Sequence, residues 1–196
     1  MLRTDMFRLT TAVALTLGLT PLGVSAAALA GETAADSAPM VGGAAMYPSR
    51  NIVENAVNSK DHTTLVAAVK AAGLVDTLAS PGPFTVFAPT NAAFAKLPAG
   101  TVETLLKPEN VETLRSVLTY HVVPGRVTAA DLVEKIRAGG GQARLTTVQG
   151  GTLTATLMGD TVMLTDGKGG TAHVTQADVM QSNGVIHVTD AVSLPG

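Results

Sequence analysis

Apolar side chains recur at helical spacing between residues 51 and 80. In the stretch "NIVENAVNSKDHTTLVAAVKAAGLVDTLAS", Leu65, Val69 and Ala72 repeat every three or four positions, and Val75 and Leu78 continue the pattern after a glycine. This spacing places apolar side chains on one face of a helix. The pattern therefore predicts two short amphipathic helices.

The stretch "FTVFAPTNAAF" changes from a strand pattern to a helix pattern. Its β-prone start, from Phe84, is apolar on both faces and predicts a buried strand that ends at Pro89. Thr90 occupies the expected N-cap position of the following helix, where its hydroxyl can accept a hydrogen bond from a backbone N–H. The Thr90–Asn91 pair is interpreted as a structural joint. The alternative, Thr90 as a nucleophile, lacks the neighbouring base that would activate it.

Three further helices are indicated between residues 101 and 139. A short helix begins at Thr101, Lys107-Pro108 interrupts the pattern, and a longer helix leads into "LTYHVVPG". Thr128 and Gly139 then frame a helix as its N-cap and as the residue past its end.

The remaining third of the chain has the pattern of β-strands. Five β-branched runs are separated by Gly-Gly, Gly-Asp, Asp-Gly-Lys-Gly-Gly and Ser-Asn-Gly, which are turn signals. Strands that follow one another directly pair antiparallel. The sequence thus predicts an α+β domain: helices first, then an antiparallel meander, with "FTVFA" available as an extra strand.

The N-terminus has the layout of a secretory signal peptide. Two arginines precede an apolar stretch that ends in Ala28-Leu29-Ala30, an A-x-A cleavage site. An uncleaved anchor is the alternative, since the apolar stretch could nearly span a bilayer, but Pro21 interrupts it. We therefore predict a signal peptide over residues 1–30, a flexible leader over 31–46 and one domain over 47–194. The mature protein is expected to be secreted or periplasmic, without a transmembrane segment.

Composition excludes several classes of function. The formal charge is −2; two arginines and one aspartate lie in the first thirty residues, which leaves 11 basic and 14 acidic side chains, or −3. No basic field is available for nucleic acid. The absence of cysteine excludes disulfides, thiolate metal sites and cysteine nucleophiles.

No residue pattern indicates catalysis or a cofactor. The four histidines are widely spaced and form no H-E-x-x-H or H-x-x-H motif, so a metal site would have to be assembled by the fold alone. His187, inside a β run, is interpreted as a hydrogen-bonded structural residue. Tyr120 and His121, between a helix and a turn, are interpreted as fixing that turn, with a polar pair facing a partner as the alternative.

Three ordered stretches, "FTVFAPTNAAF", "LTYHVVPG" and "ADVMQSNGVIHVTDAVSLP", resemble the motifs of the fasciclin (FAS1) domain. The resemblance implies a β-wedge of about seven strands flanked by helices. It also implies an extracellular adhesion module, similar to small secreted bacterial members, and not an enzyme. The residues that carry the motifs are Phe84, Thr90, Asn91, Tyr120, His121 and His187.

The resemblance also suggests a partner-binding segment. "QADVM", Gln176 to Met180, aligns with the segment that animal members use to engage integrins; the Asp and Met are kept and the Ile is Val. Asp178, Val179 and Met180 are therefore candidate partner contacts. The alternative is that Asp178 is a solvated surface charge or a local backbone cap.

Two classes of function follow from the sequence. The leading one is an exported, non-enzymatic module that binds a protein or an extracellular matrix component. The alternative is a small exported enzyme, or a carrier of an apolar ligand, with an Asp/His pocket assembled by folding.

Overall fold

A computed structural model describes residues 38–196 of the chain. The predicted signal peptide and the first part of the predicted leader lie outside these residues. Across residues 38–196, no helix is both long and apolar enough to cross a membrane.

Residues 38–196 contain seven short α-helices, which precede or interrupt the strands. Two of them begin with capping boxes, at Asn51–Glu54 and Thr128–Asp131. In each box the side chain of the first residue accepts a hydrogen bond from the backbone N–H of the second, and the side chain of the second accepts from the backbone N–H of the first. The helices are α1 (Ile52–Ala56), α2 (Thr63–Ala71), α3 (Val75–Ala79), α4 (Asn91–Ala95), α5 (Thr101–Leu105), α6 (Val111–Tyr120) and α7 (Ala129–Ala138), with 3-10 turns at Lys60–His62 and Pro108–Asn110.

Nine strands form a small hairpin and a seven-stranded sheet in the order β4-β3-β9-β8-β7-β6-β5. The edge strands approach each other, and the Val148 N–H donates to the Val122 carbonyl at 2.7 Å. The strands are β1 (Met40–Val41), β2 (Ala44–Ala45), β3 (Phe84–Pro89), β4 (Val122–Pro124), β5 (Gln142–Thr146), β6 (Thr152–Met158), β7 (Thr161–Thr165), β8 (Thr171–Gln181) and β9 (Gly184–Thr189).

The predicted α+β class is confirmed, and the all-antiparallel meander needs one correction. Strands β5 to β9 pair antiparallel in sequence order, but β3 pairs parallel with β9, with Phe84 opposite Gly184. A parallel partner needs a long crossover, and here nearly a hundred residues supply it. The local pattern of "FTVFA" does not contain that information.

Two hydrophobic clusters cover the two faces of the central strands. The first packs α1, α2, α3 and α6 against β3 and β9, and the second packs α7 against β5 to β8. Val86 and Ile186 belong to the first cluster and Phe87 to the second. Because both faces are covered, every residue of β9 is buried, and "FTVFA" is apolar on both faces for the same reason.

A short hairpin lies ahead of residue 47, within the stretch predicted to be a leader. Residues 40–45 form the β1–β2 hairpin, and Val41 and Met46 are 4% and 2% exposed in the first cluster. Gly42 makes the turn at φ 58°, and a Cβ there would collide with the Ser59 hydroxyl. The alanine- and glycine-rich composition indicates a linker, but two buried side chains and a tight turn make its end part of the core.

The hairpin's contribution to stability is testable with neighbouring residues. Val41→Ala removes buried methyl groups and should lower the free energy of unfolding by about 1 to 3 kcal/mol. Met40→Ala is the control, because Met40 is 59% exposed, and it should change stability by less than about 0.5 kcal/mol. Urea unfolding measures both. Equal, small effects would mean that the hairpin is dispensable to the fold.

Candidate functional site at the strand joint and the β8 bulge

Thr90 and Asn91 join β3 to the helices. Thr90 is the N-cap of α4, and its Oγ1 accepts a hydrogen bond from the Ala93 N–H at 3.2 Å. Asn91 reaches back to α2: its Oδ1 accepts from the Thr64 N–H at 3.0 Å, and its Nδ2 donates to the Lys60 carbonyl at 2.8 Å. Both side chains are thus engaged by backbone groups that would otherwise lack partners.

Tyr120 ties the end of α6 to the sheet. Its hydroxyl donates to the Thr152 carbonyl at 2.7 Å and accepts from the Gly167 N–H at 2.9 Å. Burial raises the pKa of Tyr120, which keeps the phenol protonated and able to donate. The side chain fixes β6 and the β7–β8 turn to the helical half.

His121 uses both ring nitrogens to hold the chain. Nδ1 lies 2.8 Å from the Val117 carbonyl, and Nε2 accepts from the Ser193 N–H at 3.0 Å. Since a backbone N–H can only donate, Nε2 carries no proton and Nδ1–H is the donor. The ring is 3% exposed and fastens the C-terminal segment to α6.

His187 lies at the centre of the sheet with the same use of both nitrogens. Its Nδ1 accepts from the Asp178 N–H at 3.3 Å, and its Nε2 lies 2.8 Å from the Val127 carbonyl, so Nε2 carries the proton. The ring stacks on Phe87 with centroids 5.5 Å apart. The imidazole therefore connects β9, β8, β3 and the segment that leads into α7.

The Asp178 carboxylate, which lies on β8, caps the N-terminus of helix α7. Strand β8 is irregular between Val174 and Val179, and Asp178 has a φ of 57°, in the left-handed region. Its Oδ1 accepts from the N–H of Ala129, the first residue of α7, at 2.7 Å. A carboxylate at a helix N-terminus is favoured by the exposed N–H groups and the helix dipole. The Asp178 side chain therefore caps the N-terminus of α7, which is distant from it in the sequence.

Val179 and Met180 are placed differently from Asp178. Val179 is fully buried in the first cluster, so its side chain cannot contact a partner of the folded domain. Met180 is half-buried, and Ala177, on the other side of Asp178, is exposed. Of the three candidate contacts, Asp178 and Met180 retain accessible surface.

A third buried imidazole, His62, was not singled out by the sequence. Its Nδ1 lies 2.9 Å from the Ser59 hydroxyl, and among the described residues its Nε2 is the one buried side-chain polar atom without a hydrogen-bond partner. It lines an apolar cavity whose wall contains no carboxylate. The sequence "SKDHTT" gives no signal for this position, because neighbours distant in the chain create its environment.

Burial lowers the pKa values of His62, His121 and His187, partly offset by the carbonyls of Ala88, Val117 and Val127. Desolvation penalises the charged imidazolium, and a charged His121 or His187 would also present an N–H to another N–H. All three rings are therefore neutral in the fold at pH 7.

These histidines do not form a metal centre. Between residues 38 and 196, no three His, Asp or Glu side chains are grouped so that they could hold a metal ion. The ring nitrogens of His121 and His187 are instead directed at backbone groups, and His62 Nδ1 contacts the Ser59 hydroxyl.

Comparison with known proteins identifies related sequences of similar length. The family model of the fasciclin domain matches residues 60–195. Protein sll1483 of Synechocystis is 48% identical over 178 residues, which cover 89% of this chain and 89% of that protein. Immunogenic protein MPB70 of Mycobacterium bovis is 36% identical over 193 residues, 88% of this chain and 91% of that protein.

The structural comparison supports the fold. A FAS1 domain pair from the insect cell adhesion molecule Fasciclin I superposes with a TM-score of 0.65 and 19% identity, covering 73% of this chain and 50% of that chain. At this identity the similarity shows the fold alone.

Removal of the Thr90 hydroxyl tests the joint. Thr90→Ala should lower the free energy of unfolding by about 0.5 to 2 kcal/mol, the usual effect of a lost N-cap. Thr90→Ser keeps an acceptor oxygen and should retain most of the stability. Thermal melts of the three proteins decide the matter; an unchanged midpoint for Thr90→Ala would contradict the capping role.

The buried imidazoles predict acid sensitivity. The unfolded chain takes up protons on these rings as the pH falls below about 6.5, whereas the fold with its lowered pKa values does not. Stability is therefore fully present above that pH and declines below it, by about 1.4 kcal/mol per pH unit for each ring that stays neutral.

Urea unfolding between pH 7.5 and pH 5.5 measures this slope. His187→Gln removes one titrating ring. It should therefore reduce the slope of the unfolding free energy against pH by the contribution of one ring, about 1.4 kcal/mol per pH unit, whatever its effect on overall stability. A slope near zero in the unmodified protein would mean that the rings are protonated within the fold.

Proposed function

This chain belongs to the fasciclin family, and on that premise we propose that it is an exported, non-enzymatic module that binds a protein or an extracellular matrix component. The related structure comes from a molecule described as an insect cell adhesion molecule. A low sequence identity transfers the fold and not the partner.

The observation that carries the proposal is the use of the motif residues. The side chains of Thr90, Asn91, Tyr120, His121 and His187 all bond to backbone groups, and those bonds hold helices and strands together. General bases and nucleophiles need a reacting atom within hydrogen-bond reach. These residues instead support a rigid scaffold that presents surface to a partner.

We assign the partner contact to the β8 bulge surface, defined as Met40, Gln176, Ala177, Asp178 and Met180. The Gln176 Nε2 donates to the Met40 carbonyl at 3.3 Å, which joins the hairpin to the bulge. Bulges interrupt the regular pairing of a strand and redirect its side chains. The surface thus combines exposed methionine, a small exposed alanine and a carboxylate.

Asp178 can serve the fold and a partner at once. Its Oδ1 is used by the Ala129 N–H, while its Oδ2 accepts no hydrogen bond from residues 38–196. A carboxylate held in position by one oxygen offers the other to an N–H or a cation with little loss of side-chain freedom. The two apolar side chains beside it would supply contact area.

The test begins with proximity crosslinking of the protein in its native host, which identifies a partner and its compartment together. Binding is then measured for Asp178→Asn, which keeps an oxygen for Ala129 and tolerates the left-handed φ but removes the charge. Met180→Ala is compared with Met158→Ala, an exposed methionine on the β6–β7 hairpin.

Asp178→Asn and Met180→Ala should each weaken binding several-fold with only a small decrease in melting temperature, and Met158→Ala should bind as the unmodified protein does. Normal binding by both bulge variants would place the interface elsewhere on the wedge. The absence of any crosslinked partner in the native host would contradict the binding function itself.

A further inference from the structure

An apolar cavity of about 50 Å³ lies between helices α1 to α3 and the central strands. Ile52, Leu65 and Val86 contribute its walls, and Val41 and Met46 of the N-terminal hairpin also line it. Its deep part is closed by completely buried residues. Towards solvent it is bordered by half-exposed side chains of α1 and α2 and by the stem of Lys70.

His62 brings a polar group to this apolar space. The ring is 3% exposed and lines the cavity, and its Nε2 makes no well-aligned hydrogen bond among residues 38–196, although the Ala88 carbonyl is close enough to raise the pKa of the ring against the effect of burial. An unpaired buried polar atom costs free energy, usually about 1 to 3 kcal/mol. The other imidazole in the wall, that of His121, has both nitrogens bonded.

The contact with Ser59 sets which proton His62 carries. The Ser59 hydroxyl lies 2.9 Å from Nδ1 and, within residues 38–196, has no acceptor besides this nitrogen. A buried hydroxyl needs an acceptor for its proton, so it donates to Nδ1. The neutral ring then carries its own proton on Nε2, which makes the free group a hydrogen-bond donor.

A water molecule is a poor match for this position. Buried waters usually make about three hydrogen bonds, and apolar cavities stay dry. Here Nε2–H is the free polar group, and the nearby Ala88 carbonyl could provide at most one more partner. The rest of the wall is apolar apart from His121, whose ring nitrogens are already bonded, and Lys70 at the border towards solvent.

We propose that this cavity binds a small, uncharged apolar molecule with one hydrogen-bond-accepting oxygen, which receives the His62 Nε2–H. A charge would be too costly to bury here, whereas a ketone or ether oxygen satisfies the free donor and the hydrocarbon part fills the cavity. A molecule of this class is larger than the present cavity volume of about 50 Å³, so its binding requires the adaptable Met46 side chain in the wall to move. The cavity shares no lining residue with the β8 bulge surface, although Val179 in its wall lies between Asp178 and Met180 in the sequence.

Two probes separate the apolar and polar contributions. Xenon fills an apolar cavity without hydrogen bonding, and 2-butanone adds one acceptor oxygen. Both are titrated into the purified protein while methyl NMR signals of Ile52, Leu65 and Val86 are followed. The His62 Nε2–H signal is followed as well, and it should move with 2-butanone and not with xenon.

Variants test the donor and the space separately. His62→Leu should weaken 2-butanone about three- to tenfold, the usual net effect of one hydrogen bond, and leave xenon unchanged. His62→Gln restores a donor and should recover part of the affinity. Ala56→Leu fills the cavity and should block both probes, with melting temperatures confirming that each variant folds.

Two results would overturn the proposed ligand site. Methyl signals that both probes leave unmoved would overturn the site, as would 2-butanone binding to His62→Leu as tightly as to the unmodified protein. If His62→Leu fails to fold, the Nε2–H signal of the unmodified protein carries the test. If this signal does not move when 2-butanone is added, the proposal is overturned.

Discussion

The neutral imidazole of His187 connects the central strands of the sheet to the segment that leads into α7. It lies on β9, between β3 and β8, stacks on Phe87, accepts from the Asp178 N–H and faces the Val127 carbonyl. The left-handed backbone of Asp178 turns its N–H toward this ring and its carboxylate toward α7. A strained residue persists only where its surroundings over-determine it, and His187 and α7 are those surroundings.

Other polar side chains repeat this design. Tyr120, His121, Asn91 and Asn183 each join segments far apart in sequence through backbone groups. Asn183, for example, accepts from the Ile52 N–H at 3.0 Å across 131 positions of sequence. Such bonds contribute modest net stability when satisfied but are costly to break, so they select one arrangement of helices on the sheet.

Local sequence patterns predicted most helices and strands, because the caps, turn residues and side-chain periodicity that define them lie within or next to each one. The helix of residues 129–138 is marked by its caps, and the strands after residue 142 by alternation and turn glycines. The parallel β3–β9 pair could not be derived in this way, since it joins positions a hundred residues apart. The β1–β2 hairpin was missed because only two of its side chains, Val41 and Met46, are buried.

The candidate sites also contain residues that the sequence indicated and residues that only the fold reveals. The local pattern indicated the cap formed by Thr90, and the motif resemblance indicated Tyr120 and His187, but the backbone partners of Tyr120 and His187 emerged only from the fold. His62 has no sequence signal, since its free nitrogen exists only when α1, α2 and β3 enclose it. Val179 links the two sites: it lines the cavity, while its neighbours Asp178 and Met180 belong to the bulge surface.

Nitrogen-15 NMR of the histidine side chains tests most directly whether the polar core depends on neutral rings. Long-range correlation spectra report the tautomer and protonation of each imidazole in the folded protein. The structure predicts that at pH 6 His187 is neutral with its proton on Nε2 and His121 is neutral with its proton on Nδ1. An imidazolium signal for His187 at that pH, in protein that remains folded, would contradict the account.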